Sequence, residues 1–136
     1  MTGVYSIRGD EPIFVVEKVA NVLVLKLIAD PAASNYHSKQ FEYNRMMKTV
    51  SEPEVQQLLF DFGDCVNVDS VTVGILTSLA GHLNEFGGRT AMCNCSQKVR
   101  RLIARLIKLE PAGKQTVWPH YSSRRQAIET LCSESN

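Results

Sequence analysis

Residues 58–74, LLFDFGDCVNVDSVTVG, decide how this chain folds. Residues 57–62 contain the hydrophobic run Leu58, Leu59 and Phe60, which is typical of a short strand that is buried inside a sheet. A loop follows, and then Asp69 and Ser70, which are residue types that favour the N-cap of a helix. Apolar residues recur at helical spacing over 71–86. The stretch therefore predicts a strand, a loop and the start of a helix, in that order.

Upstream of this stretch the pattern predicts two strands and a helix. Residues 13–19 and 22–28 are rich in Val, Ile and Leu and are separated by two residues, which is typical of a hairpin. The spacing then becomes helical, with Ser34 as the expected N-cap. The expected apolar face of this first helix consists of Tyr36, Tyr43, Met47 and Val50.

Downstream, strands and helices continue to alternate. Gly87 and Gly88 are expected to end the second helix, because glycine adopts the left-handed cap at little cost. The expected apolar stripe of that helix is Leu76, Leu79, Leu83 and Phe86. The remaining predicted elements are a strand at Arg89–Cys95, a helix capped by Ser96, a strand at Thr116–Trp118 and a helix that begins at the capping box Ser123-x-x-Gln126.

The predicted order of elements is β-β-α-β-α-β-α-β-α, which belongs to the α/β class. Helices between successive strands imply parallel crossovers, and the opening hairpin makes the sheet mixed. We therefore expect a mixed central β-sheet packed by about four α-helices. A single domain over residues 13–132 accounts for these elements, with residues 1–12 as a flexible lead-in.

Charge and composition exclude several classes of partner. Fifteen basic and fourteen acidic side chains give a net charge of +1, so no overall field favours nucleic acid or an anionic membrane. The longest run without charge, residues 70–84, is too short and too polar to span a membrane, and residues 1–10 lack the apolar segment of a signal peptide. Four cysteines are too few for a disulfide scaffold, so we expect reduced thiols and a cytoplasmic location.

The sequence carries no motif for catalysis or metal binding. Phosphate-binding loops, dinucleotide fingerprints and zinc-protease motifs do not occur. Cys93-Asn94-Cys95 puts two thiols on one face of a strand, but no second pair with zinc spacing follows. The histidines His37, His82 and His120 lie on different predicted elements. We therefore expect structural thiols, no metal and no cofactor.

The third predicted helix has a basic face without acidic residues. Its members are Lys98, Arg100, Arg101, Arg105 and Lys108. The simplest interpretation is a solvated face opposite an apolar stripe. The alternative is a docking surface in which Arg101 and Arg105 meet an acidic partner, since clustered charge steers association. Nucleic acid is disfavoured because no aromatic residues interrupt the run.

Local physics and family resemblance give different meanings to the segment that begins at Asp69. Locally, Asp69 and Ser70 are N-cap residues that satisfy backbone N–H groups, and Gly74 is a close packing contact. However, the segment also resembles the STAS domain, the fold of bacterial anti-sigma factor antagonists. In that family an apolar–acidic–apolar strand end and a loop lead to Asp-Ser-Ser-Gly-Leu-Gly at the start of a helix.

The match to this family runs residue by residue. Asp69 corresponds to the acid, Ser70 to the serine that accepts phosphate, and Gly74 to the last glycine. Val73 replaces the leucine conservatively, whereas Val71 and Thr72 replace the second serine and the first glycine. Similar stretches are Leu27–Asp30 at the end of the second strand, Glu85–Arg89 at the Gly-Gly turn and Ser96–Leu102 in the next helix. The resemblance extends from Ile13 to Leu131.

The resemblance implies a switch protein without chemistry of its own. An anti-sigma factor that is also a serine kinase binds such a domain and phosphorylates Ser70, and a Ser/Thr phosphatase reverses the modification. The unmodified domain sequesters the anti-sigma factor and thereby frees the sigma factor. The residues expected to contact the partner are Asp30, Asp69, Ser70, Val71, Thr72, Val73, Gly74, Arg101 and Arg105.

Two other functions remain open at this point. One keeps the fold but not the phosphorylation: a scaffold or sensor subunit of a signalling assembly, which Val71 and Thr72 favour. The other is a small enzyme or nucleotide-binding protein, against which stands the lack of a convergent nucleophile, base and oxyanion donor in the sequence.

Overall fold

One mixed sheet of five strands forms the centre of the molecule, which a computed structural model describes over residues 12–109 and 118–134. The strands are β1 (Phe14–Val19), β2 (Val22–Leu27), β3 (Gln57–Asp61), β4 (Arg89–Cys93) and β5 (His120–Tyr121). They lie side by side in chain order. β1 is antiparallel to β2 and the other neighbours are parallel. The expected α/β class and the opening hairpin are confirmed.

Four α-helices accompany the sheet in the described part of the chain. They are α1 (Tyr36–Val50), α2 (Ser70–Glu85), α3 (Gln97–Ile107) and α4 (Arg124–Glu134), and a short 3-10 turn covers Pro31–Ala33. The order β-β-α-β-α-β-α-β-α is therefore confirmed. Residues 1–11 of the expected lead-in lie outside the described residues. None of the described helices combines the length and hydropathy needed to cross a membrane.

The two faces of the sheet bury different helices. Alternate residues of a strand point to opposite faces, so Leu23, Leu25 and Phe60 join the core formed with α1, α2 and α3. Val24 and Leu59 belong to a second, smaller core on the other face, where α4 contributes Ala127 and Leu131. The sheet is thus a central layer, with three crossover helices on one side and the last helix on the other.

The last strand lies later in the chain than the sequence predicts. Thr116 and Val117 lie outside the described residues, Trp118 is not in a strand, and β5 is His120–Tyr121. The hydrogen bonds to β4 set this position, because the Met92 N–H donates to the Pro119 carbonyl at 2.9 Å. Trp118 instead packs edge-on against Phe60, with ring centroids 5.0 Å apart.

Helix α1 differs from the sequence prediction in its cap and in its buried face. Ser34 ends the preceding 3-10 turn, and Asn35 is the N-cap, with its side chain accepting from the Ser38 N–H at 2.7 Å. Tyr36 is 67% exposed. The buried residues of α1 are Ser38, Lys39, Glu42, Met46 and Val50. Two charged side chains thus occupy positions that an apolar pattern cannot reveal.

Buried Glu42 is satisfied by the start of β1. One of its carboxylate oxygens accepts the Ile13 N–H at 2.8 Å and the Phe14 N–H at 3.2 Å, and Arg45 donates to the other at 2.7 Å. A buried carboxylate with these partners avoids most of the desolvation cost of an unpaired charge. Glu42 therefore fastens α1 to the first strand.

The end of α2 follows the predicted glycine pair. Gly87 has φ +82°, in the left-handed region, and the Gly88 N–H donates to the Leu83 carbonyl at 3.0 Å. A Cβ on Gly88 would lie 2.6 Å from the Gln56 carbonyl oxygen, so the backbone passes too close there for a side chain. Phe86, expected in the apolar stripe, is 75% exposed because the helix ends before it.

Candidate functional site

The segment that the sequence singles out lies at the carboxyl edge of the parallel strands. Asp69–Gly74, which we call the α2 start, follows the loop that leaves β3, and Asp30 follows β2. Parallel neighbours end at the same edge of a sheet, so both segments meet there. Edges of this kind carry the ligand and partner sites of many open α/β sheets.

Asp69 is the N-cap of α2 and is held from two sides. Its backbone is extended, and one carboxylate oxygen accepts the Thr72 N–H at 2.9 Å. The other oxygen accepts from Lys39 Nζ at 2.6 Å. Partial burial alone would raise the pKa of Asp69, but hydrogen bonds from Lys39 and Thr72 outweigh it and lower that pKa. Asp69 is therefore a fixed anion at neutral pH.

Exposure divides the residues of the α2 start into two groups. Ser70, the first helical residue, is exposed, and Val71 is 38% exposed. Thr72 and Val73 are buried completely, and Gly74 is half-buried. The structure thus buries two of the residues expected to contact a partner, because helical geometry turns the side chains of Thr72 and Val73 toward the core.

The loop before α2 is fastened to the end of β2. The Val66 N–H donates to the Ala29 carbonyl at 2.8 Å, and Asn67 Nδ2 donates to Asp30 Oδ1 at 3.5 Å. Val66 is 61% exposed and Asp30 is exposed. Asp30 is therefore brought to the same edge as Ser70, together with an exposed apolar side chain.

Arg101 and Arg105 lie on α3, the helix that follows β4. Both are exposed on α3, and neither forms an ion pair with any residue of 12–109 or 118–134. Helix α3 packs against α2. The two arginines are therefore linked to the α2 start through the packing of α3 against α2.

A buried carboxylate lies at the other end of the loop before α2, where the loop leaves β3. Asp61, at the end of β3, accepts from the Gly63 N–H at 2.9 Å, from Asn94 at 3.2 Å and from Arg124 Nε at 2.9 Å. Arg124 also donates to Glu17 at 2.7 Å. Burial opposes ionisation of Asp61, but the three donors together lower its pKa. Asp61 thus links the loop, β4 and the start of α4.

Two cysteines near this edge, Cys93 and Cys95, are unreactive because they are buried. Burial raises the pKa of Cys93 and of Cys95 to about 12, so both remain protonated thiols at neutral pH. Within the described ranges, no group of three or more His, Cys, Asp or Glu side chains is arranged to hold a metal ion.

A cavity of about 660 Å³ lies at the opposite edge of the sheet. It is lined by the ends of α1 and α2 and by the segments after them, including Ser51, Gln57, His82, Phe86 and Gly88. Ser70 begins α2 and this cavity adjoins its end, so the cavity is not part of the α2 start.

The chemistry available at the α2 start is that of a modifiable hydroxyl. Ser70 is accessible, while the neighbouring carboxylate of Asp69 is occupied by Lys39 and by the helix backbone. A catalytic serine needs a base in hydrogen-bond reach, and Asp69 is already committed as a cap. Sequence reasoning identified Asp69 and Ser70 but missed Lys39, because a lysine at a core-facing position gives no periodic signal.

Comparison with known proteins agrees with this fold. The family profile of the STAS domain matches residues 14–121. No curated protein matches the chain in sequence. Among solved structures, the chain is similar to the unphosphorylated anti-sigma factor antagonist SpoIIAA, with a TM-score of 0.69 and 20% identity over 88% of this chain and 96% of that one.

Two further structures have the same fold at lower identity. One is an RsbS variant from Moorella thermoacetica, with a TM-score of 0.70, 12% identity and coverage of 90% of this chain and 97% of that one. The other is a chain from the stressosome, described as a signal integration and transduction hub, with a TM-score of 0.69, 13% identity and coverage of 90% and 99%.

Proposed function

We propose that this chain, which belongs to the STAS domain family, is an anti-sigma factor antagonist that phosphorylation at Ser70 inactivates. It binds an anti-sigma factor that is also a serine kinase, and a Ser/Thr phosphatase restores it. The proposed location is the cytoplasm, where the kinase has access to ATP. The chain itself carries out no reaction.

The observation that supports this proposal most directly is the position of Ser70. It is an exposed hydroxyl at the first turn of a sixteen-residue helix. The free N–H groups and the positive end of the helix dipole tolerate an anion at such a position. The folded domain can therefore carry a phosphate there without rearranging its core.

The proposed contact surface is the exposed part of the carboxyl edge. It contains Ser70, Val71, Val66 and Asp30, with Arg101 and Arg105 as an outer basic part on α3. Exposed valines offer apolar area to a partner, and the arginines complement an acidic one. The side chains of Thr72 and Val73 contribute only by holding the helix in place.

In this proposal, the negative charge of the phosphate on Ser70 lowers the affinity for the partner. Phosphorylation adds about −1.5 to −2 charges and three acceptor oxygens, next to the anion Asp69. A partner surface built against a neutral hydroxyl then meets a buried like charge, which costs several kcal/mol. A tenfold loss of affinity requires only about 1.4 kcal/mol, so no refolding is needed.

The test is incubation with ATP and an anti-sigma-type kinase from the same genome, followed by intact-mass measurement and binding assays. We expect one added phosphate on the wild type and none on Ser70→Ala, which still binds the kinase. Ser70→Asp and Ser70→Glu bind at least tenfold more weakly. Ser78→Ala, which removes another exposed serine of α2, is the matched control and behaves as wild type. Equal affinity of both acidic variants and wild type would refute the switch.

A second candidate is a scaffold or sensor subunit of a signalling assembly that is not phosphorylated. It is favoured by Val71 and Thr72, which stand where the family has Ser and Gly, and by the likeness to a stressosome chain. The mass measurement separates the two functions, because a scaffold of this kind gains no phosphate.

A further inference from the structure

Lys39 is a buried cation beside the proposed phosphorylation site. It is 5% exposed and lies on the core-facing side of α1. Its ammonium donates to Asp69 Oδ2 at 2.6 Å and reaches the Ala32 carbonyl at 3.5 Å. Lysine is rarely buried unless it is paired, and an apolar side chain at this position would pack without the cost of desolvating a charge. Packing alone therefore does not explain why a lysine is buried at this position.

The charge balance around Ser70 supplies that reason. Asp69 is a fixed anion directly before Ser70. Asp30 is a second carboxylate at the same edge, where it accepts a hydrogen bond from Asn67. A dianionic phosphate on Ser70 would add repulsion to an already negative site, since like charges at short range disfavour one another. Among the described residues, Lys39 is the cation that forms an ion pair with Asp69.

We infer that Lys39 is the counter-ion that allows Ser70 to carry a phosphate next to Asp69 without loosening the start of α2. This inference rests on the proposed function. Lys39 acts through Asp69 as a positioning residue: it neutralises the carboxylate and keeps it in place as the N-cap. The modified chain then stays folded, and the added charge is sensed by the partner.

The experiment uses protein in which phosphoserine is incorporated genetically at position 70, so that it does not depend on any kinase. The second pKa of the phosphate is measured by phosphorus NMR during a pH titration. Lys39→Met removes the charge but keeps the apolar stem. Lys39 contacts the neighbouring residue Asp69, and a unit charge about 7 Å from any titrating group shifts its pKa by about 0.4 unit even at the dielectric constant of water. We therefore expect a rise of about that size in the phosphate pKa of Lys39→Met.

Three further variants separate the effect of charge from that of structure. Asn is as good an N-cap as Asp, so Lys39→Met/Asp69→Asn keeps the cap and removes both charges. We expect its phosphate pKa to return to the wild-type value. Asp69→Asn alone leaves Lys39 unopposed and lowers the phosphate pKa, and this variant decides the question if Lys39→Met does not fold. Lys39→Arg retains the charge and the wild-type value.

A purely structural lysine would behave differently. A counter-ion makes Lys39→Met lower the thermal midpoint of the phosphoserine protein more than that of the Ser70 protein, whereas a purely structural lysine makes it lower both midpoints equally and leave the phosphate pKa unchanged. The second result, or an unchanged phosphate pKa in Asp69→Asn, overturns the inference. Failure of the proposed function is a separate observation: the kinase assay adds no phosphate to Ser70, whatever the titration gives.

Discussion

The strongest stability prediction concerns the Asp61–Arg124 ion pair, which joins the end of β3 to α4. Asp61 is 5% exposed at its side chain and Arg124 is 30% exposed. We consider Arg124→Met, which preserves the apolar stem of the side chain but removes the guanidinium. Removing one partner of a fully buried pair costs about 3–5 kcal/mol. Here the loss is smaller, because Gly63 and Asn94 continue to donate to Asp61.

The expected loss is that of one hydrogen bond to a charged group, about 2 kcal/mol in the free energy of unfolding at pH 7. The second contact of Arg124 adds little, because Glu17 is 56% exposed at its side chain and exposed pairs contribute little. Urea unfolding followed by circular dichroism measures the change. Arg125→Met is the matched control on the same helical turn. Its pair with Glu129 is exposed on both sides, so we expect a loss under about 0.5 kcal/mol.

The pH dependence tests the same argument. The pKa of Asp61 is lower in the folded chain than in the unfolded chain, so its ionisation stabilises the fold above the unfolded pKa of about 3.9. That stabilisation is lost as the pH falls through the folded pKa. The difference between wild type and Arg124→Met should therefore be largest at pH 7 and smaller near pH 3. Equal urea midpoints at pH 7, or a difference that grows in acid, would refute the role assigned to Arg124.

Two other predictions address packing and thiol reactivity. Gly88→Ala should cost about 2 kcal/mol or more, because its Cβ would overlap the Gln56 carbonyl oxygen at 2.6 Å. Gly81→Ala, where a Cβ meets nothing within 4 Å, should instead stabilise α2 by about 0.5–1 kcal/mol; thermal unfolding of the pair distinguishes the two sites. Iodoacetamide at neutral pH should label half-buried Cys132 first, with the three buried thiols reacting only after unfolding. Rapid labelling of all four cysteines in the native chain, followed by intact mass, would contradict the burial argument.

Features of the chain that depend on local sequence were predictable. The Asp69 cap is formed by a side chain and an N–H three residues later, and the end of α2 depends on two consecutive glycines. Both interactions are complete within a few residues, so their signals are visible in the sequence. The hairpin of β1 and β2 is likewise set by a two-residue connection.

Features that depend on distant partners were not predictable. β5 is fixed by pairing with Met92 and Cys93 of β4, and this pairing over a long stretch of chain leaves no local signal at His120 and Tyr121. Lys39 can occupy a core-facing position because it pairs with Asp69, which is thirty residues away in the sequence. Asp61 likewise pairs with Arg124, sixty-three residues away. Periodicity detects which face is apolar, but not which charged residue finds a buried partner.

These two ion pairs lie at opposite ends of one loop. Asp61 holds the Gly63 N–H where the loop leaves β3, and Asp69 caps α2 where the loop ends. Their cations come from helices on opposite faces of the sheet, Arg124 from α4 and Lys39 from α1. Asp61 is buried and Asp69 is partly buried, and partnered carboxylates of this kind make local opening costly. Ser70 therefore lies on a backbone that is fixed at both ends. The proposed phosphate there would change the charge of the surface more readily than the path of the chain. Such a rigid backbone suits the proposed binding switch, which acts through charge and not through refolding.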